Sequence, residues 1–154
     1  MKISKKSDYA LRALMTLAAD AHTDTLHTIR DLAQINDIPK RFLEHIMLDM
    51  KNEGWVKGIA GRDGGYQLNI PPSRLTMARV IRLFDGTLSP INCVSSTEYE
   101  KCSQESTCRF RRLFLEIRNM STEMMEQATL SHLLNKKPVT ISEVEEELIY
   151  GAGI

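Results

Sequence analysis

The stretch TIRDLAQINDIPKRFLEHIMLDMKNEGWVKGIAGRDGGYQL, running from Thr28 to Leu68, decides the fold. Thr28 is a residue type that caps helices, and Asp31, three positions on, suits the positive end of a helix dipole. Ile29, Leu32 and Ala33 make the buried stripe of that short helix. Asn36-Asp37 interrupts it, and Pro39 fits the first turn of a second helix. Leu43, Ile46, Met47 and Met50 recur at helical spacing and give this helix its apolar face, and Gly54 stands where a left-handed residue closes a helix. Two short helices around a turn of about four residues have the proportions of a helix-turn-helix. Residues 55–59 then read as a strand, Gly61-Arg62-Asp63-Gly64-Gly65 as a tight loop and residues 66–68 as the returning strand. A glycine-tipped hairpin directly after a helix-turn-helix is a wing.

Outward from this centre, Ala10, Leu11, Leu14, Leu17, Ala18 and Ala21 predict a helix over residues 8–21. Downstream, Pro71-Pro72 ends the wing. Thr76 is placed to cap a further helix with Met77, Val80, Ile81 and Phe84 inward, and Asp85-Gly86 stops it. A polar loop over 87–108 carries all three cysteines. The last long helix begins near Arg109, with Phe110, Leu113, Phe114, Ile117, Met120, Met124 and Ala128 along one stripe of about five turns. The end, from Asn135, is acidic. The expected fold is mainly α with a small β-wing: a winged helix-turn-helix followed by a long helix.

The chain has 154 residues, 42% of them apolar and 26% charged, which suits one folded domain, or a small domain with an appendage. No run approaches the roughly 18–20 apolar residues that span a bilayer. The basic start, Met1-Lys2-Ile3-Ser4-Lys5-Lys6, leads into an amphipathic pattern without a signal peptide's apolar stretch. Three cysteines are too few, and odd in number, for a disulfide-stapled secreted scaffold. A cytoplasmic protein with no membrane partner is expected. Lys+Arg equals Asp+Glu at 20 each, yet residues 1–82 carry a net of +4 and residues 83–154 a net of −4. Phosphate binding needs local positive potential, so the basic half is the part suited to nucleic acid.

With the core face of the second helix assigned, Lys40, Arg41, Glu44 and His45 face outward in its N-terminal half, the part of a recognition helix that reaches base edges in a major groove. Arg41 is suited to fork onto guanine, Glu44 to accept from a cytosine amino group and Lys40 to hold a phosphate. In the wing, Arg62 at the tip suits a narrow minor groove and Lys57 the backbone. Thr28 and Pro39, at the starts of the two helices, complete the expected DNA-contacting set. The alternative for any one of these residues is plain solvated surface; the grouping on two elements that would face DNA is what makes the set specific.

Cys93, Cys102 and Cys108 are spaced C-x8-C-x5-C. Clustered thiols in a reducing compartment point to metal or redox chemistry. Three thiolates hold an iron–sulfur cluster or a zinc ion with a fourth ligand or an open position. Structural zinc favours closer C-x2-4-C pairs, so the wide spacing leans towards a cluster. Two alternatives stand: buried thiols acting as small hydrophobes, or one disulfide plus a spare as a thiol switch.

The segments Asp8-Tyr9-Ala10-Leu11-Arg12-Ala13-Leu14, Ile38-Pro39-Lys40-Arg41-Phe42-Leu43-Glu44, Gly61-Arg62-Asp63-Gly64-Gly65-Tyr66-Gln67-Leu68 and Asp85-Gly86 before the cysteine loop resemble the Rrf-type family of bacterial winged-helix regulators, the group that includes IscR, NsrR, RirA and CymR. The likeness extends to about Leu134. It implies a homodimeric transcription factor, as a rule a repressor, bound to a roughly palindromic site in double-stranded DNA. Residues 1–86 would be the DNA-binding domain, 87–108 the sensor loop, 109–134 the dimerisation helix and 135–154 an acidic tail. It further implies a [2Fe–2S] or [4Fe–4S] cluster at Cys93, Cys102 and Cys108, tuning operator affinity to iron supply, oxidants or nitric oxide. Two departures matter. The first cysteine gap exceeds the five residues common in the IscR and NsrR branches and is nearer RirA. Arg111 also stands where the IscR branch has a histidine ligand. Asp8, Glu98, Glu105, His132, a small molecule or thiol, and water remain as fourth ligands. Asp8 is preferred because some relatives use a carboxylate of the first helix, with simple stabilisation of the helix start as its alternative role.

Other classes are a cluster-free thiol-redox regulator and a winged helix serving as a protein-interaction module. An enzyme ranks last: no phosphate-binding glycine loop, H-E-x-x-H or G-x-S-x-G occurs, and His22, His27, His45 and His132 are scattered.

Overall fold

The structure, a computed structural model, describes residues 2–23, 25–86 and 89–144. Its elements are α1 (Lys5–Ala19), α2 (Ile29–Ile35), α3 (Lys40–Asn52), β1 (Val56–Ile59), β2 (Gly65–Leu68), α4 (Met77–Asp85), α5 (Arg111–Gln127) and α6 (Leu130–Leu134). The expected mainly helical fold with a small β-wing is the observed one.

Local chemistry sets most boundaries. Helix α1 begins a turn earlier than its apolar pattern suggests, because the Ser4 hydroxyl accepts from the Ser7 N–H at 3.2 Å. Thr28 and Asp31 form a reciprocal capping box at α2. The connection to α3 turns at Asp37, whose φ of 52° is tolerated by a short polar side chain. Pro39 is the cap residue of α3 rather than part of its first turn. At the other end Gly54 has φ 74°, and the Gly54 and Trp55 N–H groups donate to the carbonyls of Lys51 and Met50, each at 3.0 Å. This pairing satisfies carbonyls the helix would leave bare and turns the chain straight into β1.

In the wing, β1 and β2 pair antiparallel with Val56 opposite Leu68 and Ile59 opposite Gly65. His27 adds a bridge to Tyr66 on the other edge, with N–H to carbonyl distances of 3.1 and 2.7 Å. The approach is so close that a Cβ on Gly65 would lie 2.8 Å from the His27 carbonyl oxygen. The wing root is thereby fastened to the start of α2.

The core lies where α1 crosses the helix-turn-helix. Ala10, Ala13, Leu14 and Leu17 pack with Leu32, Leu43, Ile46, Met47, Met50, Leu75, Val80 and Leu130, all buried. Lys6 of α1 pairs with Asp49 of α3 at 2.8 Å, and Tyr9 meets Phe42 edge to face.

The helix expected over 109–134 is instead two. Helix α5 ends at Gln127, and Thr129 caps α6 by accepting from the His132 N–H. The break is tertiary in origin. Met77 donates to the Ala128 carbonyl at 2.8 Å and Leu130 to the Leu75 carbonyl at 2.9 Å, so the segment joins the body as a strand-like seam. Leu130 then enters the core beside α1. Of the acidic tail, residues 145–154 lie outside the described residues, as do 87 and 88 at the start of the cysteine loop.

Candidate nucleic-acid interface and thiol loop

Burying Leu43, Ile46, Met47 and Met50 turns the opposite face of α3 to solvent. Lys40, Arg41, Glu44 and His45 are all exposed there, as are Lys57 and Arg62 on the wing. Lys40 and Glu44 pair at 3.7 Å, one helical turn apart. Arg41 forms no ion pair among the described residues, and its carbonyl meets the His45 Nδ1 at 2.8 Å. Thr28 is differently placed. Its hydroxyl donates to the Asp31 carboxylate at 2.7 Å while accepting from the Asp31 N–H; that hydroxyl and the Thr28 backbone N–H, which donates at 3.0 Å, hold the Asp31 carboxyl below its ordinary range. Its donor is already committed to the cap. Pro39, exposed and without a side-chain polar atom, shapes the entry to α3.

The cysteine loop is tied to α5 by two arginines seven residues apart, hence on one face of that helix. Arg111 donates to the Cys93 carbonyl at 2.9 Å and Arg118 to the Val94 carbonyl at 3.0 Å. Neither clamp was singled out from the sequence; the spacing of the two arginines, away from the apolar stripe, was the available signal. Cys93 is buried in a short 3-10 turn (Asn92–Val94), Cys108 is half-buried and Cys102 exposed, and all three are free thiols. Cys93 and Cys108 line one cavity of about 430 Å³ with Tyr99, Glu105, Arg111 and Arg118. Cys102 lines another, of about 460 Å³, which shares Glu105 and Arg111.

Glu105 is the carboxylate brought to the thiols within this chain. The Tyr99 hydroxyl bonds it at 2.9 Å, which raises the phenol and lowers the carboxyl from their ordinary values, and Arg111 stands 3.6 Å away. Asp8 is elsewhere: Arg12 grips it with two hydrogen bonds of 2.8 and 3.0 Å, and it lines a groove with Lys2, Leu11 and Met77. The other candidates are likewise apart, with Glu98 beside Gly86 and His132 on α6. Thiolates are suitable soft donors for iron. Their placement here does not make a closed site: among the described residues no three His, Cys, Asp or Glu side chains are gathered as a metal-binding group.

A winged helix-turn-helix with its second helix exposed beside a basic hairpin is the architecture of a transcription regulator. The chain belongs to the Rrf2 family: the family model, described as an iron-dependent transcriptional regulator, matches residues 3–136. It is 37% identical to an rrf2-like HTH-type transcriptional regulator of Rhodobacter capsulatus over 86% of this chain and 91% of that protein. It is 31% identical to the HTH-type transcriptional regulator CymR of Bacillus subtilis, over 97% of this chain and 99% of CymR. The solved structure of B. subtilis CymR, described as the global cysteine regulator, superposes with a TM-score of 0.76 at 29% identity, covering 90% of this chain and 99% of that one. The family and these relatives are transcriptional regulators, not enzymes. No helix among the described residues is long and apolar enough to cross a membrane.

Proposed function

We propose that this chain is a cytoplasmic, homodimeric DNA-binding repressor whose operator affinity is set by the chemistry of the thiols in residues 87–108. The observation that carries the DNA reading is the exposed N-terminal face of α3, with Arg41 in no ion pair among the described residues and the wing residues Lys57 and Arg62 exposed alongside. Arg41 reads guanine, Glu44 accepts from cytosine, Lys40 and Lys57 hold phosphates and Arg62 enters the minor groove. Thr28 and Pro39 act through the position of α2 and α3. Two α5 helices, laid together by their apolar faces, present two such heads to one roughly palindromic operator. Arg41→Ala is expected to weaken operator binding by about tenfold or more and to relax the base preference, with much less effect on random DNA. Equal loss on both, in titrations at several salt concentrations, would reduce Arg41 to a phosphate contact. A flat salt dependence for the wild type would favour a protein-interaction module instead.

Control at the thiols takes one of two forms. In the first, Cys93, Cys102 and Cys108 hold a [2Fe–2S] or [4Fe–4S] cluster; the soft donor set and the family's iron-dependent description support it. Such a cluster supplies a reversible response to iron, oxidants or nitric oxide, and it needs Cys102 to join the other two thiols. Within the subunit the carboxylate at hand is Glu105, so Asp8 would serve as fourth ligand only from a partner subunit. In the second form a cluster-free thiol switch operates, and the shared cavity of Cys93 and Cys108 favours it. Cys102→Ala separates them. Protein purified without oxygen should lose its visible absorption, iron and sulfide in the first case. In the second it contains none before or after substitution, and DNA binding of both proteins responds to peroxide.

A further inference from the structure

Resting on the DNA-binding reading above, we infer that His45 is a base-reading residue that presents only a hydrogen-bond acceptor, and that it selects an exocyclic amino group, on adenine or cytosine, in the major groove. The geometry fixes this polarity. The His45 Nδ1 lies 2.8 Å from the carbonyl oxygen of Arg41, one turn earlier on α3. A carbonyl oxygen carries no proton, so Nδ1 must donate. Neutral imidazole has one N–H, and with it on Nδ1 the Nε2 is left with a bare lone pair. His45 is exposed, and among the described residues nothing bonds its Nε2.

Three consequences follow for recognition. The bond draws the ring back over the turn that holds Arg41, towards the helix end that enters a groove. It also holds the ring in one orientation before binding, so little rotamer freedom is lost on contact. Finally, a lone pair repels a phosphate oxygen. Neutral His45 therefore finds its partner on a base edge and not on the backbone. In the major groove the available donors are the N6 amino group of adenine and the N4 amino group of cytosine; guanine and thymine present acceptors at the corresponding place. A lone acceptor thus separates A or C from G or T on the strand it faces, without distinguishing A from C. Arg41 beside it has the opposite capacity, five donors; Glu44 also accepts, but its carboxylate is paired with Lys40, and the position read by His45 is the one that loss of the imidazole flattens.

The test is selection from a random double-stranded DNA pool with the full-length protein purified without oxygen, at pH 8. Wild type is expected to show one position per half-site at which A and C are accepted alike and preferred about tenfold over G and T. His45→Ala should flatten that position and leave the others intact. His45→Glu, an acceptor without a donor, should keep the preference. His45→Lys, a donor without an acceptor, should turn it to G or T. Identical profiles for wild type and His45→Ala, or a wild-type preference for G at the position that His45→Ala flattens, would overturn the assignment while leaving DNA binding in place. If wild type enriched no sequence at all, the DNA-binding reading itself would fall, and this inference with it.

Discussion

Met120→Glu is expected to yield monomers at micromolar concentration and to cut operator affinity by about a hundredfold or more. Along α5 the apolar residues Leu113, Met120 and Met124 are 56%, 64% and 67% exposed in the single subunit, and Phe110 and Ile117 extend the same stripe. No residue of α5 is buried in the body. In the dimer proposed above this stripe is the association surface, and a twofold interface places each substituted residue in it twice. Two unpaired carboxylates in an apolar seam cost several kcal/mol. Losing the seam also removes the effective concentration that lets the second head bind once the first is seated. Sedimentation and operator titration read both effects. A variant that stays dimeric and binds normally would show that the subunits associate through another face.

The second large effect is on stability. Leu43→Ala should cost about 2–5 kcal/mol, because Leu43 is fully buried where α1, α2 and α3 meet. For a chain of this size that corresponds to a fall of about 5–15 °C in the unfolding midpoint. Leu48, on the same helix but 55% exposed, supplies the control, and its replacement by Ala should change stability by about 0.5 kcal/mol or less. Thermal unfolding of the two variants side by side measures the difference. Equal midpoints would mean that α3 does not pack through the face assigned to it.

The helix-turn-helix and wing were legible because their signals are local. Thr28 with Asp31, the break at Asn36-Asp37, Gly54 and the glycine-rich tip each act within a few residues, and the structure uses them all. The start of α1 was less visible, since Lys5, Lys6 and Ser7 add little to an apolar pattern and the decisive Ser4 cap precedes it. The break after Gln127 was hidden for a different reason. Ala128 is a good helix former, and only pairing with Leu75–Met77, some fifty positions away, turns the chain out of the helix. The thiol loop shows the same limit. Spacing identifies Cys93, Cys102 and Cys108 as a set, but packing against α5 decides that two of them share a cavity while the third faces another. The role of Glu105 depends on Tyr99 reaching it, which no spacing announces. At α3 the outward residues were readable from periodicity, whereas the orientation of the His45 ring was not.

Helix α5 is anchored at both extremities. From its first residue and its middle, Arg111 and Arg118 grip the peptide carbonyls of Cys93 and Val94, and the Ala128–Leu130 seam fastens its far end to the chain on either side of Thr76, the residue that caps α4. A beam clamped at two points transmits torque instead of swinging free. A force applied along its outer edge is carried both to the sulfur-bearing turn and to the segment that starts α4.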